Sequence, residues 1–352
     1  MTSLMKAAII EKPGVLTIKN VPIPEINDDE VLIKVKVTGI CGTDWSIFTG
    51  KYSADKLPLI AGHEFSGVIE KIGKNSKNLK IGDKVTADIN MSCGFCFYCR
   101  RGNKLMCDNF TQIGIHTNGS YAEYVKVPWE NVLKIPDNLS FEEGAFIEPV
   151  SCVVHSAKAL KVEIGSSVAV IGCGLGILHG AIAKLRGAAP IIVIGDNEYR
   201  LNIAKEMGAD FVININEVKD VIAEVRKLTE GRGPDYVIEA VGSAGTYEKA
   251  FEMVRPGGTI AAFGIAGENE IMKIKPVDLV LKEKKVVSSC AGVGNDWNDA
   301  MRLLEYGRIK PKRMFSMEVP LEELQSALEE LRTNNKLIKV FVSSEINKRI
   351  IF

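Results

Sequence analysis

Apolar and polar positions alternate through most of the first 90 residues, and a period of two marks strands with one buried face. Short strands are predicted at 7–10, 15–18, 30–37, 65–72 and 84–87, with Val31, Ile33, Val35 and Val37 on one face of the third. Gly62, Gly67, Gly73 and Gly82 punctuate them, which predicts a compact, partly barrel-like β domain. From about Pro149 the texture changes. Strands at 167–171, 190–194, 211–213, 236–239 and 259–263 alternate with helices at 175–185, 199–207, 218–230 and 245–254. That alternation predicts βαβ units and a parallel sheet covered on both faces, so the fold class is α/β. After Ser289 the pattern offers helices at 296–306 and 321–333 and a strand at 337–342, too few for a third domain. They are expected to return to the N-terminal domain. The last ten residues carry no periodic signal.

Length and charge narrow the class. A chain of 352 residues exceeds one small core and favours two domains. Lys+Arg and Asp+Glu are both 44, so no net field draws a polyanion, and nucleic acid is not expected as a partner. The apolar stretch 168–183 is short, holds four glycines and His179, and runs into Lys184 and Arg186, so no membrane span is expected. No charged-then-apolar leader opens the chain, which argues against secretion by that route. Eight cysteines in such a sequence fit a reducing cytoplasm better than a disulfide framework.

Four of those cysteines fall in one run, Cys93-Gly-Phe-Cys96-Phe-Tyr-Cys99 and, seven residues on, Cys107. Thiolates so spaced suit a closed tetrahedral zinc site, and four of them leave no open coordination position for a substrate. Iron–sulfur runs space the last cysteine differently and follow it with proline. A working metal, if there is one, lies elsewhere.

The strand ending at Ile171 runs into Gly172-Cys173-Gly174-Leu175-Gly176 and a helical pattern, the context of a dinucleotide-binding turn. Gly172, Gly174, Leu175 and Gly176 would bring backbone N–H groups to a pyrophosphate at the positive end of the helix. The spacing departs from the usual fingerprint: Gly176 comes one step early, as if the turn were short by one residue. At the end of the next strand Gly195 holds the slot of the ribose-reading acid, and Asp196 falls one place late. Asp196 and Glu198 would repel a 2′-phosphate, so NAD is expected to be preferred, with NADP possible through Arg200. Val241, Gly242 and Gly264 follow later strands at the same rim and join the candidate cofactor residues.

Gly39-Ile-Cys41-Gly-Thr43-Asp44, then Gly62-His63-Glu64 with Gly67 and Gly73, the four-cysteine lobe, Ile147-Glu148-Pro149 and the glycine turn occur in one order. In that order the chain resembles a zinc-dependent alcohol or polyol dehydrogenase of the medium-chain dehydrogenase/reductase superfamily, in the sorbitol and threonine dehydrogenase branch. The resemblance covers about residues 5–342. It implies a GroES-like β-rich catalytic domain at 1–152, with a structural zinc lobe at about 90–110 and completion by 290–352, and a Rossmann doubly wound parallel-sheet domain at 153–289. It implies two Zn2+ per subunit: a structural one on the four cysteines, and a catalytic one on Cys41, His63 and Glu64 with Glu148 as a close fourth. Thr43 would relay the alcohol proton, and Asp44 would accept from the His63 ring and fix its tautomer. The implied reaction interconverts a secondary alcohol or polyol and its ketone, with hydride passing to or from a nicotinamide. A homodimer or homotetramer is implied too.

Departures bear on the substrate. Ser46 stands where threonine and sorbitol dehydrogenases carry a histidine, and Gly292-Val293 where sorbitol dehydrogenases carry Arg-Tyr. His116 in the 114–119 loop, Trp45, Phe48, Tyr52 and Trp297 are candidates for a pocket wall, each also readable as core or surface. Cys152, His155 and His179 read as packed helix residues. L-threonine (amino-alcohol) dehydrogenase and aldehyde reductase remain alternatives on the same scaffold. A zinc-knuckle nucleic-acid-binding module or a structural protein is the non-enzyme alternative, for which Arg100, Arg101 and Lys104 are the only basic hint.

Overall fold

The computed structural model describes residues 3–352. The chain divides into two compact units, one of residues 1–149, 293–307 and 311–352, the other of residues 150–292 and 308–310.

In the first unit a hairpin, Leu4–Lys12 and Val15–Pro22, stands apart from an eight-stranded sheet. The strand Glu30–Gly39 is the sheet's hub. It pairs antiparallel with Glu64–Ile72, Tyr124–Pro128 and Lys339–Ser343, and most of its side chains are buried. Two bulges in its pairing with Glu64–Ile72 curl the sheet, so strands that look flat in sequence wrap towards a barrel. Lys339–Ser343 in turn pairs parallel with Phe315–Pro320, a strand the sequence reading passed over although Phe315, Met317 and Val319 alternate. The last residues are ordered as well: Ile350–Ile351 pairs with Phe315–Pro320, and Phe352 packs its ring against Phe315 and Phe341. Two residues are too few to give a period, which is why they carried no signal.

The second unit is a six-stranded parallel sheet in the order Phe211–Asn214, Ile191–Gly195, Val168–Ile171, Tyr236–Glu239, Thr259–Ala262, Lys285–Ser288. Strand order reverses between Val168–Ile171 and Tyr236–Glu239, the doubly wound arrangement whose switch point accepts ligands. Every residue of Val168–Ile171 and of Ile191–Gly195 is buried, as expected of strands covered on both faces. The helix expected at 218–230 spans only Val221–Lys227, because the Asp220 side chain caps it by accepting from Ile222 and Ala223 N–H. Glu230 and Gly231, both at positive φ, end it. The edge strand Lys285–Ser288 and the helix Pro276–Leu281 were not anticipated; both are short and mostly exposed, so neither shows a periodic face. No helix among the described residues is long and apolar enough to cross a membrane.

Candidate metal centres and nucleotide turn

The lobe is built by local chain. One sulfur from each of Cys93, Cys96, Cys99 and Cys107 lies within 4.8 Å of the others, and Cys107 Sγ is 3.5 Å from Cys93 Sγ. Tetrahedral zinc holds sulfurs about 3.8 Å apart, so the group lies close to what the ion requires. Backbone N–H groups of Cys93 and Asn109 donate to Cys107 Sγ, and that of Cys99 to Cys96 Sγ. Donors from Cys99 and Asp108 pull the Cys96 thiol down to about 6, so a thiolate is favoured before any metal arrives. Outside the cluster Phe95 and Phe97 are exposed, and Arg101 stacks on Phe97 at 4.0 Å.

The second constellation is assembled from distant chain. Cys41 precedes a short helix, Gly42–Phe48, whose first turn is closed by Asp44: its Oδ2 accepts from Cys41 N–H at 2.8 Å and from the Tyr121 hydroxyl at 2.8 Å. His63 Nδ1 faces Asp44 Oδ1 at 3.4 Å, longer than a good hydrogen bond, and both atoms are buried. Cys41, His63 and Glu64 each bring one donor atom within 4.8 Å of the others; Glu148 is not in that group. Gly39 leaves space for the Glu64 carboxylate, since a Cβ there would meet Glu64 Oε2 at 2.2 Å.

Sequence reading missed one member of this centre. Lys339, 5 % exposed, donates to Glu64 Oε1 at 2.9 Å, to Oε2 at 2.6 Å and to the Ile40 carbonyl at 3.0 Å. Its signal was a lone cation in the apolar run Leu337-Ile-Lys-Val-Phe-Val342. Burial works against the ammonium, but Glu64, Cys41 and Glu148 outweigh it and raise Lys339 above its ordinary range. Burial also opposes charge on His63, yet Asp44 and Cys41 hold it well above the usual imidazole range. Acidic groups at Cys41, Asp44, Glu64 and Glu148 thus share a mostly buried place with the Lys339 ammonium and the His63 ring. A divalent cation is what that donor set lacks.

Glu148 lies in the first turn of Ile147–Leu160, is 6 % exposed, and comes near enough to act on Lys339. Thr43 Oγ1 is 3.7 Å from Cys41 Sγ. Phe48 and Trp297 are core, at 5 % and 1 % exposure, whereas Tyr52 is exposed. The half-buried His116 ring stands edge-on to Tyr52 and Phe110, and its Nδ1 accepts from Gln112 N–H, which puts the proton of the neutral ring on Nε2. Cys152 and His155 are half-buried rather than packed away, and Cys152 Sγ accepts from Gly292 N–H. His179 is buried edge-on to Phe263. A Cβ at Gly292 would meet Ser151 Oγ at 2.2 Å, so a larger residue has no room there as the chain now runs.

In the second unit, Gly172 turns the chain at φ +116 and its N–H donates to the Ile194 carbonyl; the helix Gly176–Leu185 follows, with Leu175 at its cap. Gly176 packs on Val170. Asp196, Val241 and Gly264 follow neighbouring strands at the same carboxyl edge. The backbone N–H groups of Val241 and Gly242 donate to the buried Glu239 Oε1, both at 2.9 Å, so those residues offer a ligand their surface rather than their amides.

Residues 27–137 match the alcohol dehydrogenase GroES-like domain, and residues 174–306 match the zinc-binding dehydrogenase model. Sorbitol dehydrogenase of Bacillus subtilis strain 168 is 35% identical over 345 residues, 96% of this chain and 97% of the relative. L-threonine 3-dehydrogenase of the same strain is 34% identical over 346 residues, 95% of this chain and 97% of that one. A putative zinc-binding dehydrogenase from Sinorhizobium meliloti 1021, solved bound to NADP, superposes with a TM-score of 0.91 at 33% identity, covering 97% of this chain and 99% of that one.

Proposed function

The chain belongs to the zinc-binding alcohol dehydrogenase family, with a GroES-like domain and a Rossmann-type parallel sheet, and on that premise we propose the division of labour within its site. It is an oxidoreductase that interconverts a secondary alcohol or polyol and the corresponding ketone, using zinc and a nicotinamide dinucleotide. The observation that carries this reading is the pair of donor groups in the first unit, one all-sulfur and one mixed, in a chain whose second unit has a glycine turn at a sheet switch point. When bound, a zinc ion at the mixed site supplies a Lewis acid to the substrate oxygen, and the dinucleotide supplies the hydride acceptor.

Cys41 and His63 are the fixed ligands. Glu64 is the third, held by Lys339 so that one ammonium and one metal compete for its two oxygens. Glu148 stands by as a fourth. Asp44 fixes the His63 ring, itself fixed by Tyr121. Thr43 moves the substrate proton away. Cys93, Cys96, Cys99 and Cys107 hold the second zinc. Gly172, Gly174, Leu175 and Gly176 cradle the pyrophosphate, with Asp196, Arg200, Val241, Gly242 and Gly264 lining the rest, and NAD is preferred over NADP.

Crowding at Gly292 and Ser46 in place of histidine argue against sorbitol-type and threonine-type recognition. L-threonine remains the second reading because a relative of nearly full coverage carries that name. Eight cysteines, five of them at the proposed metal sites, suit a reducing cytoplasm. A homodimer or homotetramer is supported by the edge strand Lys285–Ser288, where Val286 is exposed, and by Val277, Val280 and Leu281, also exposed in the helix that precedes it in the chain. The test is a panel of polyols, diols, aldoses and threonine with NAD and NADP, run beside metal analysis. Two zinc ions per chain and turnover of a secondary alcohol are expected; one zinc in a fully loaded preparation, or turnover of threonine alone, would refute the reading.

A further inference from the structure

Cys173 occupies the second position of the glycine turn and is 5 % exposed. Its side chain lies against the last residue of the neighbouring strand Ile191–Gly195. A Cβ added to Gly195 would stand 2.4 Å from Cys173 Sγ and 2.8 Å from Cys173 Cβ, closer than side chains tolerate. Gly195 is the strand-end position, 23 residues after Gly172, where a dinucleotide fold ordinarily carries the acid that reads the ribose 2′-hydroxyl. The glycine there is therefore the consequence of a packing choice made in the turn. The same thiol faces the next residue: Cys173 Sγ is 3.9 Å from Asp196 Oδ1. Asp196 is exposed, with its carbonyl tied to Asn216 Nδ2 at 2.9 Å, so its backbone is held while its carboxylate lies within reach of the sulfur.

We propose that Cys173 is a specificity-positioning residue of the nucleotide site: it bars a side chain at 195 and draws the acidic reader one residue on, to Asp196. Resting on the nucleotide-binding reading above, this makes the thiol and Gly195 an interlocked pair. An acid at 196 is offset by one residue from the usual reader, Gly195 offers no carboxylate to repel a 2′-phosphate, and the half-buried Arg200 lies near enough to act on the Cys173 thiol. Discrimination between the two dinucleotides is accordingly modest, about tenfold or less in favour of NAD.

The experiment measures dissociation constants of NADH and NADPH by fluorescence, and thermal melting, for the zinc-loaded wild type, G195D, C173A and C173A/G195D. A ratio of two affinities cancels any general loss of stability. G195D alone is expected to melt lower than the wild type. The Ala substitution removes the 2.4 Å contact with Sγ and leaves the 2.8 Å contact with Cys173 Cβ and the 3.3 Å one with Leu201 Cδ2, so the double variant is expected to melt above G195D and below the wild type. Its preference for NADH should rise at least tenfold over the wild type. C173A alone should lower that preference several-fold as Asp196 loses its partner. G195D melting like the wild type, or a double variant with the wild-type ratio, would overturn the interlock alone. Failure of the wild type to bind either dinucleotide would overturn the nucleotide reading together with it.

Discussion

The four-cysteine lobe and the Cys41 centre gather metal-binding side chains by opposite means. In the lobe, four like donors come from 15 consecutive residues, and the chain's own N–H groups point at the sulfurs. At the centre, unlike donors come from residues 41, 63 and 64, with Glu148 near enough to act on Lys339, and their charges are managed by side chains, Lys339 and Tyr121, from elsewhere again. Backbone donors cannot leave, so the lobe suits an ion that stays and does nothing more. Side-chain partners can exchange, and exchange is what a substrate-accepting metal requires.

Removing one ligand from each tests that contrast most strongly. Cys41→Ala should lower kcat at least a thousandfold and zinc content from two to one per chain, with NADH fluorescence still responding. Cys96→Ser should leave the residual zinc at the centre and expose the 93–107 segment to protease; unaltered cleavage would mean that the metal does not brace the lobe. Lys339→Met comes next. It leaves Glu64 buried without its cation, costing about 3–5 kcal/mol in the chelator-treated protein. Zinc should restore much of that loss, so the gap between loaded and stripped melting temperatures should widen; a constant gap would show that ammonium and metal do not share the carboxylate.

The smallest effect concerns a carboxyl in the first unit that neither metal uses. Burial, with Glu142 and Glu345 adding repulsion, pushes Glu318 up to about 7. A carboxyl whose pKa rises on folding favours the folded state while protonated, so that stability is present below about pH 4.5 and lost as pH rises towards 7. Glu318→Gln should stabilise the protein by about 2 kcal/mol at pH 8 and change little at pH 5. Equal effects at both would place the cause outside this ionisation.

The same contrast decides what could be read from the sequence. The lobe was legible because its signal is local spacing, as was the parallel sheet, whose buried strands are short β-branched runs between helices. The strands and helices expected in the second unit fall within a few residues of their places, a cap such as Asp220 trimming an end, while the exposed helix Pro276–Leu281 and edge strand Lys285–Ser288 gave no periodic face to read. The centre was legible only through a family likeness. Nothing in the spacing of Cys41 and His63 indicates that Lys339 lies against Glu64, because that contact depends on two strands separated by nearly the whole chain and joined through Glu30–Gly39. The Cys173 and Gly195 contact was hidden for the same reason: Gly195 could be seen as odd, but only side-by-side strands explain it.

The lateness of Lys339 in the chain has a consequence for how the protein is made. Ribosomes deliver residues in order, and domains generally fold as their segments emerge. Residues 150–292 are contiguous and can close their sheet while the rest is still being synthesised. The sheet around Glu30–Gly39 must wait for Lys339–Ser343, so for most of its synthesis Glu64 has no ammonium partner. The nascent N-terminal half therefore passes through a stage in which its acids and thiols are available to any divalent ion nearby, and a strand that arrives near the end of synthesis is the one that sets the terms on which the metal is kept.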